Sequence, residues 1–414
     1  MIIHQLFALL FKLALWIAYP FHKKAQKFLD GRKTVFQQLE KFAKTKGEQP
    51  VLWFHCASLG EFEQGRPIME RLKADYPQYK IVLTFFSPSG YEVRKNYAMA
   101  DVVCYLPLDS KTNAHRFVQL VHPRIAFFVK YEYWHFYLSE LEKQHIPAIA
   151  ISVIFLPHYT PFRWYGKFYH ATLKKITHYF LQDQKSAELI RTIGIHNITV
   201  AGDTRFDRVA AICENVQTIP LAESFKSGEK LMVIGSSWPE DVEVLIPLIK
   251  KTESLKFIIA PHTIHENELN GIEKKLEGKT VRYSTAQAAT VADHQVLIID
   301  NIGMLTALYQ YGELAYVGGA FGSGLHNILE PATFGMPIFF GNQKYHTFRE
   351  AHELIARSAA FPVETSSELS DKCAEFLQDE PRRRQAVNAC KAYVRENIGA
   401  TDKIIRYLRE KKMI

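Results

Sequence analysis

Short apolar runs separated by amphipathic stretches recur along most of this chain. Residues 51–55, 81–85, 102–105, 125–129 and 148–153 are almost continuously apolar, the pattern of strands buried on both faces. Helical stretches such as 65–75 and 110–120 lie between them. A polar, charged segment from Gly202 to Lys230 interrupts the pattern, which then restarts with strands expected at 231–235, 257–260, 296–299, 314–317 and 338–340. Alternation of this kind predicts parallel sheets covered by helices. The chain therefore reads as α/β, with two Rossmann-like doubly wound units joined near residues 205–228, and a basic helical stretch from about Glu380 to Lys412 at its end. In such sheets ligands bind beyond the carboxyl ends of the strands.

The first 21 residues follow a different rule. Seventeen are apolar, the exceptions being His4, Gln5, Lys12 and Pro20. The run is long enough to cross a bilayer, but Lys12 sits near its middle. A secretory signal carries its positive charge before the apolar run and a small-residue cleavage site after it. Here a basic cluster follows the run: residues 22–46 hold eight Lys and Arg against Asp30 and Glu40. Positive flanks stay cytoplasmic. We therefore expect an uncleaved anchor, as a short span or an interfacial helix, with the main body in the cytoplasm. The bland reading is a buried N-terminal helix.

Bulk composition adds limits. With 414 residues, 47% hydrophobic and 23% charged, the chain is an ordinary folded one with room for two or three domains. Its net charge of +8 is concentrated at the ends. Residues 22–46 carry +6 and 381–414 carry +7, so the rest is net negative. Basic ends suit an anionic membrane surface, although solvated helices explain the C-terminal stretch equally well. No nucleic-acid-binding signature accompanies the charge. The five cysteines are scattered and never spaced C-x-x-C, which argues against a disulfide framework or a zinc site.

Two strand ends carry unusual chemistry. The first reads Cys56-Ala57-Ser58-Leu59-Gly60-Glu61, where small residues and Gly60 allow a tight turn into a helix. A carboxylate at Glu61 is placed to act as a general base, or simply to cap the helix; spacing alone favours the cap. The second runs from Gly318-Gly319 through Gly322-Ser323-Gly324 to His326-Asn327 and Glu330-Pro331. Four glycines in seven residues let the backbone approach a ligand, and a following helix start suits a phosphate. His326, Ser323 and Asn327 add hydrogen bonds, and Glu330 suits two ribose hydroxyls. The spacing is not that of the dinucleotide fingerprint. Three further candidates are weaker. Ser236 or Ser237, after the strand at 231–235, faces a ligand; Glu132 follows the strand at 125–129; His262 and His265 have metal-like spacing without a third ligand.

These residues resemble those of the 3-deoxy-D-manno-octulosonic acid (Kdo) transferases, inverting glycosyltransferases of family 30 with the GT-B fold. Ser58-Leu59-Gly60-Glu61 is similar to the family's S-x-G-E, and Gly318-Gly319 through Glu330-Pro331 to its G-G-[S/A]…G-H-N-x-L-E-P, with Leu325 where a second glycine is usual. Phe334-Gly335-Met336-Pro337, Gly341-Asn342 and the Y-L-P-x-D of 105–109 also match. Tyr131-Glu132-Tyr133-Trp134 partly matches T-E-x-W, and 202–207 partly matches G-N-x-K-F-D. The family's P-R-H is here Pro261-His262-Thr263, so a donor-site arginine is missing and His262 or His265 is the candidate substitute. Lys130, His135-Phe136 and Ala150-Ile151-Ser152 also depart from the pattern on the acceptor side.

The resemblance implies a cytoplasm-facing enzyme at the inner membrane of a Gram-negative bacterium, moving Kdo from CMP-Kdo to a lipid A precursor without metal or cofactor. It implies a division into an anchor (1–21), an N-terminal acceptor domain (22–205), a C-terminal donor domain (206–380) and a basic helix (381–414), the two domains facing a cleft. Glu61 would be the catalytic base. Ser58, Gly60 and Glu132 would meet the acceptor. Gly318, Gly319, Gly322, Ser323, Gly324, His326, Asn327, Glu330, Ser236 and His262 would meet the donor. The alternatives are another GT-B transferase using a UDP-sugar on a lipid acceptor, and a non-catalytic membrane-associated protein on the same fold.

Overall fold

The computed structural model describes residues 15–414. They form two compact units. The first ends at Arg208 and takes back Ile398–Ile414; the second is Val209–Asn397.

The first unit is built on a sheet of seven parallel strands. These are β1 (Val51–Cys56), β2 (Lys80–Phe85), β3 (Val102–Tyr105), β4 (Pro123–Val129), β5 (Ala148–Val153), β6 (His178–Leu181) and β7 (Ile198–Val200), in the order β3-β2-β1-β4-β5-β6-β7. Every residue of β1 and β5 is buried, as strands covered on both faces require. One layer packs Trp53 against Phe117 and Phe128, with ring centroids 4.7 and 5.2 Å apart. The other stacks Phe54 on Phe127 at 4.4 Å.

The second unit repeats the plan. Its strands are β8 (Lys230–Ser237), β9 (Leu255–Pro261), β10 (Thr280–Arg282), β11 (Val296–Ile298), β12 (Leu314–Val317), β13 (Ile338–Gly341) and β14 (Ala360–Val363), in the order β10-β11-β9-β8-β12-β13-β14. Each sheet therefore has one place where the chain reverses its direction of travel: between β1 and β4 in the first, between β8 and β12 in the second. Such switch points open a crevice at the carboxyl ends of the strands. Both candidate sites lie there.

The expected α/β class and its ten expected strands are present, each within two residues of its expected ends. Four edge or near-edge strands, β6, β7, β10 and β14, were not expected; β7 and β10 have three half-buried residues each, and β14 contains Pro362. The expected anchor at 1–21 lies mostly outside the described residues. Of its end, Trp16, Ile17 and Phe21 are exposed, and no described helix is long and apolar enough to cross a membrane.

The basic C-terminal stretch, expected as one element, is two helices in different units. Glu380–Asn397 belongs to the second unit and Ala400–Glu410 to the first. The last helix buries Ile404, Ile405 and Leu408 in the core that contains Leu52 and Phe54. Asp207 accepts the backbone N–H of Gly399 and Thr401 at 2.5 and 2.7 Å, fixing the helix start. Arg409 pairs with Asp75, and Arg382 and Arg384 pair with Glu375 and Glu380. Part of this basic charge is thus matched within the chain.

Candidate functional site

At the end of β1, Ser58 stands just before a helix running over Leu59–Asp75, without a capping hydrogen bond from its side chain, and Glu61 falls in the first turn. The Glu61 carboxylate folds back to accept the backbone N–H of Ala57, and Ser58 N–H also favours its charged form. The capping role is therefore real. Burial nevertheless pushes the Glu61 carboxyl up to about 8, with the Glu132 charge as the second cause; Lys130 and the two backbone bonds oppose them. A buried carboxyl poised near neutrality is what general-base chemistry needs. Gly60 has a different place from the one expected. It lies inside the helix, its φ is not left-handed, and a Cβ there would meet nothing within 4 Å. The turn does not require a glycine; what Gly60 provides is a bare helix start.

Glu132 follows β4, the strand beside β1, and is held by a buried chain of polar groups. Its Oε2 accepts from Trp134 Nε1 at 2.7 Å and lies 3.1 Å from His55 Nε2. His55 Nδ1 is 2.9 Å from the Thr84 hydroxyl, which also accepts from Trp53 Nε1 at 2.8 Å. His55 and Thr84 are fully buried. An indole N–H only donates, so Thr84 receives one proton from Trp53 and has one of its own to give. The arrangement that satisfies every group has Thr84 donating to His55 Nδ1 and His55 Nε2–H donating to Glu132. Glu61 and Glu132 are thus brought together, one on a helix start and one on a braced strand end.

Glu132 also lines a cavity of about 770 Å³. Phe86, Tyr131, Trp134, Phe155, Tyr159 and Tyr169 give it aromatic walls, and Asp109 adds a second carboxyl. Burial pushes Asp109 up to about 7 although it accepts the backbone N–H of Phe136 at the start of helix His135–Lys143. Among the described residues, no Lys or Arg lines the cavity. Its chemistry suits an uncharged ring with hydroxyls rather than a phosphate.

In the second unit the glycine loop turns tightly after β12. Gly324 N–H reaches back to Gly319 C=O at 2.8 Å. Gly319 has φ +95°, and a Cβ there would sit 2.3 Å from the Gly324 carbonyl oxygen; at Gly318 it would meet the Ser236 carbonyl at the same distance. Only glycine fits either position. Asp241, fully buried, ties the loop down: its Oδ2 accepts Gly319 N–H at 2.8 Å and Trp238 N–H at 2.9 Å, and its Oδ1 accepts Tyr316 O–H at 2.9 Å.

Trp238 and two histidines form a stack beside the loop. Trp238 and His262 have ring centroids 4.4 Å apart, and His262 and His326 4.6 Å. Burial lowers both histidines, His326 to about 4, so both are neutral near pH 7. His262 therefore does not replace the charge of the missing arginine; it contributes a ring face. Ser236 takes a left-handed backbone (φ +54°), while the buried hydroxyl without a partner among the described residues is that of Ser237. Glu330 accepts from Thr306 at 2.7 Å and from Asn327 Nδ2 at 2.9 Å, and Asn327 Oδ1 takes the Leu329 N–H. The helix after the loop is only Leu329–Phe334, with that early N–H occupied, so a phosphate would rely on the loop more than on the helix end. Gly322 and Ser323 stand at the outer side of the loop, Ser323 exposed.

Sequence reasoning gave no site role to Trp134, Asp109, Trp238 or Asp241, although Trp134 and Asp109 end the motifs matched at 131–134 and 105–109. Asp241 carried a signal of its own, an acidic residue at the third position of a helix opened by Pro239. The 202–207 motif proves architectural as well. Gln64 Nε2 donates to both carboxylate oxygens of Asp203 at 3.1 Å, and Asp207 caps the last helix.

A family model described as 3-deoxy-D-manno-octulosonic-acid transferase (kdotransferase) matches residues 33–208. Among curated proteins, the 3-deoxy-D-manno-octulosonic acid transferase of Aquifex aeolicus is 30% identical over 353 residues, covering 83% of this chain and 91% of that protein. That of Chlamydophila psittaci is 28% identical over 354 residues, covering 82% and 80%. Among solved structures, UDP-GlcNAc 2-epimerase from Neisseria meningitidis bound to UDP-GlcNAc aligns with a TM-score of 0.61 at 15% identity, over 87% of this chain and all of that one. MurG from Acinetobacter baumannii aligns at 0.55 and 11%, over 87% and 99%. The two structures share the GT-B-like fold with this chain.

Proposed function

Because this chain belongs to the 3-deoxy-D-manno-octulosonic acid transferase family and is thereby a glycosyltransferase, we propose that it moves Kdo from CMP-Kdo to a hydroxyl of a lipid A precursor, with inversion, in lipopolysaccharide biosynthesis. The observation that carries this reading is the buried Glu61 carboxyl, pushed up to about 8 beside Glu132 at the switch point of the first sheet. In the proposed step the Glu61 carboxylate takes the proton of the acceptor hydroxyl. The freed oxygen bonds to the anomeric carbon of Kdo, the bond from that carbon to the CMP phosphate oxygen breaks, and CMP leaves with the electron pair.

In this reading Ser58, Gly60 and Glu132 meet the acceptor. The backbone of Gly318, Gly319, Gly322 and Gly324 receives the phosphate, supported by Ser323 and by donors on His326 and Ser236 or Ser237. Glu330, with Asn327, takes the ribose hydroxyls, and His262 offers a ring face. The anchor at 1–21 holds the enzyme on the cytoplasmic side of the inner membrane of a Gram-negative bacterium, where the basic residues after it meet anionic lipid.

The test is transfer from CMP-Kdo, generated in situ, to tetra-acylated lipid A precursor by wild type and Glu61→Gln in parallel. Product from wild type and a loss of at least about a hundredfold in the variant is the expected result for loss of a general base. Wild type that binds CMP yet makes no product overturns the acceptor assignment. Wild type that does not bind CMP overturns the donor.

A further inference from the structure

Between β5 and β6 the chain makes a compact loop whose inner residues, Tyr159 and Tyr169, wall the aromatic cavity. Its outer residues point three large apolar side chains into solvent: Trp164 is 87% exposed, Tyr165 50% and Phe168 47%. The loop is tightly built. Phe162 N–H donates to Tyr159 C=O at 3.0 Å, Gly166 N–H to Arg163 C=O at 2.8 Å, and Tyr169 N–H to Gly166 C=O at 2.9 Å. His170 Nε2 lies 2.8 Å from Pro161 C=O. At Gly166 the backbone comes so near Thr160 that a Cβ would lie 1.6 Å from its carbonyl oxygen. Successive hydrogen-bonded turns and an obligatory glycine thus hold an indole in water, where its apolar surface opposes folding unless something covers it.

The charges around these rings say what that cover is. Arg163 and Lys167 are exposed on the same loop and have no acidic partner among the described residues. Other cations on this chain do have acidic partners, as in Arg66–Glu70 or Lys175–Glu142. Trp, Tyr and Phe interleaved with unpaired Arg and Lys is the composition of a contact at a membrane–water interface: amphipathic rings settle among the headgroups and cations meet lipid phosphates. A contact between proteins would instead centre on a buried apolar core depleted of lysine.

We propose that the loop of residues 157–170 is a second membrane contact of this protein, independent of the N-terminal segment, laying Trp164, Tyr165 and Phe168 into the headgroup layer of an anionic bilayer with Arg163 and Lys167 on its phosphates. The docking stands on the loop alone. Its consequence rests on the proposed lipid acceptor: the loop that meets the bilayer is also a wall of the cavity beside Glu132, so an acceptor reaches that cavity without leaving the lipid surface.

The test uses the full-length protein and vesicles of phosphatidylglycerol and phosphatidylethanolamine with bromine on the acyl chains near the headgroup. Of the five tryptophans, Trp164 is isolated by comparing wild type with Trp164→Phe. Wild type is expected to lose more emission on vesicles than the variant, by the share of one indole. An Arg163→Gln/Lys167→Gln double variant is expected to bind anionic vesicles roughly tenfold or more weakly, with little change on neutral ones. Equal quenching in wild type and Trp164→Phe on vesicles that bind both overturns the proposal. So does a lower sedimenting mass in Trp164→Ser/Tyr165→Ser/Phe168→Ser, which would make the patch a contact between copies. For the same triple variant, unchanged transfer to detergent-dispersed acceptor with a raised KM on vesicle-borne acceptor is the expected pattern. Absence of transfer by wild type would overturn the acceptor reading and leave the docking result intact.

Discussion

Trp238 donates its indole N–H to Nε2 of His326 across 2.9 Å, and this one bond decides which nitrogen of the histidine carries its proton. An indole cannot accept, so Nε2 must present its lone pair and Nδ1 must hold the hydrogen. His326 is then a neutral donor beside the glycine loop, consistent with burial lowering it to about 4. Trp238→Phe keeps the ring for stacking on His262 and removes the bond. The His326 imidazole, followed by NMR, is expected to titrate at higher pH than in wild type, and the KM for the nucleotide-sugar to rise several-fold with kcat little changed. An unmoved titration would show that Trp238 does not control the histidine.

The Glu61 carboxyl sets the sign of the pH dependence. A general base works only when deprotonated, so the rate should climb about tenfold per pH unit below its pKa and level off above it, here near 8. Burial is the larger cause of the shift and Glu132 the next. Glu132→Gln removes a negative neighbour and favours the charged form of Glu61, so the rising limb of kcat/KM should move to lower pH. It should stop short of the ordinary carboxylate range, because the burial remains. A limb that stays near 8 would assign the shift to burial alone.

Thr84 offers a test free of substrate contact. It is fully buried and serves both Trp53 Nε1 and His55 Nδ1. Thr84→Val keeps the shape and leaves both partners unsatisfied, which should cost about 1–3 kcal/mol of stability for each stranded group. Urea denaturation measures it. Loosening of His55 should also free Glu132, so the pH limb should move in Thr84→Val in the same direction as in Glu132→Gln. Lost stability with an unmoved limb would separate the buried chain from the carboxyl pair.

The parts of this molecule that were legible in the sequence are those whose identity is forced by local context. Strands covered on both faces must be apolar along their length, so β1, β2, β4, β5 and β8 announce themselves, whereas β7 and β10, with three half-buried residues each, do not. Glu61 and His326 lie in the segments that follow two apolar strands, β1 and β12. The roles of Trp134 and Trp238 were not visible because each acts through a partner that only folding supplies: His326 is 88 positions from Trp238, and His55, which shares the Glu132 oxygen with Trp134, is 77 positions from Glu132. The C-terminal charge was legible as charge, but its matching by Asp75 and Glu375 was not, since Asp75 lies 334 residues away from Arg409.

Glycines at the two sites should respond in opposite ways to the same substitution. Gly60 lies in the first turn of a helix with open space where a Cβ would go, so Gly60→Ala should raise stability by up to about 0.5 kcal/mol, less than at a helix centre. Gly319 has φ +95° with a carbonyl oxygen 2.3 Å from the would-be Cβ. Gly319→Ala should therefore lose about 1–3 kcal/mol from the left-handed backbone alone, and more from the overlap. Thermal unfolding distinguishes the two. Activity adds the functional half of the argument: if an acceptor lies over the bare helix start, Gly60→Ala makes a more stable enzyme with a raised KM for acceptor and an unchanged KM for donor. A stabilised Gly60→Ala with wild-type kinetics would place the acceptor elsewhere along the cavity, away from the first turn that carries Glu61.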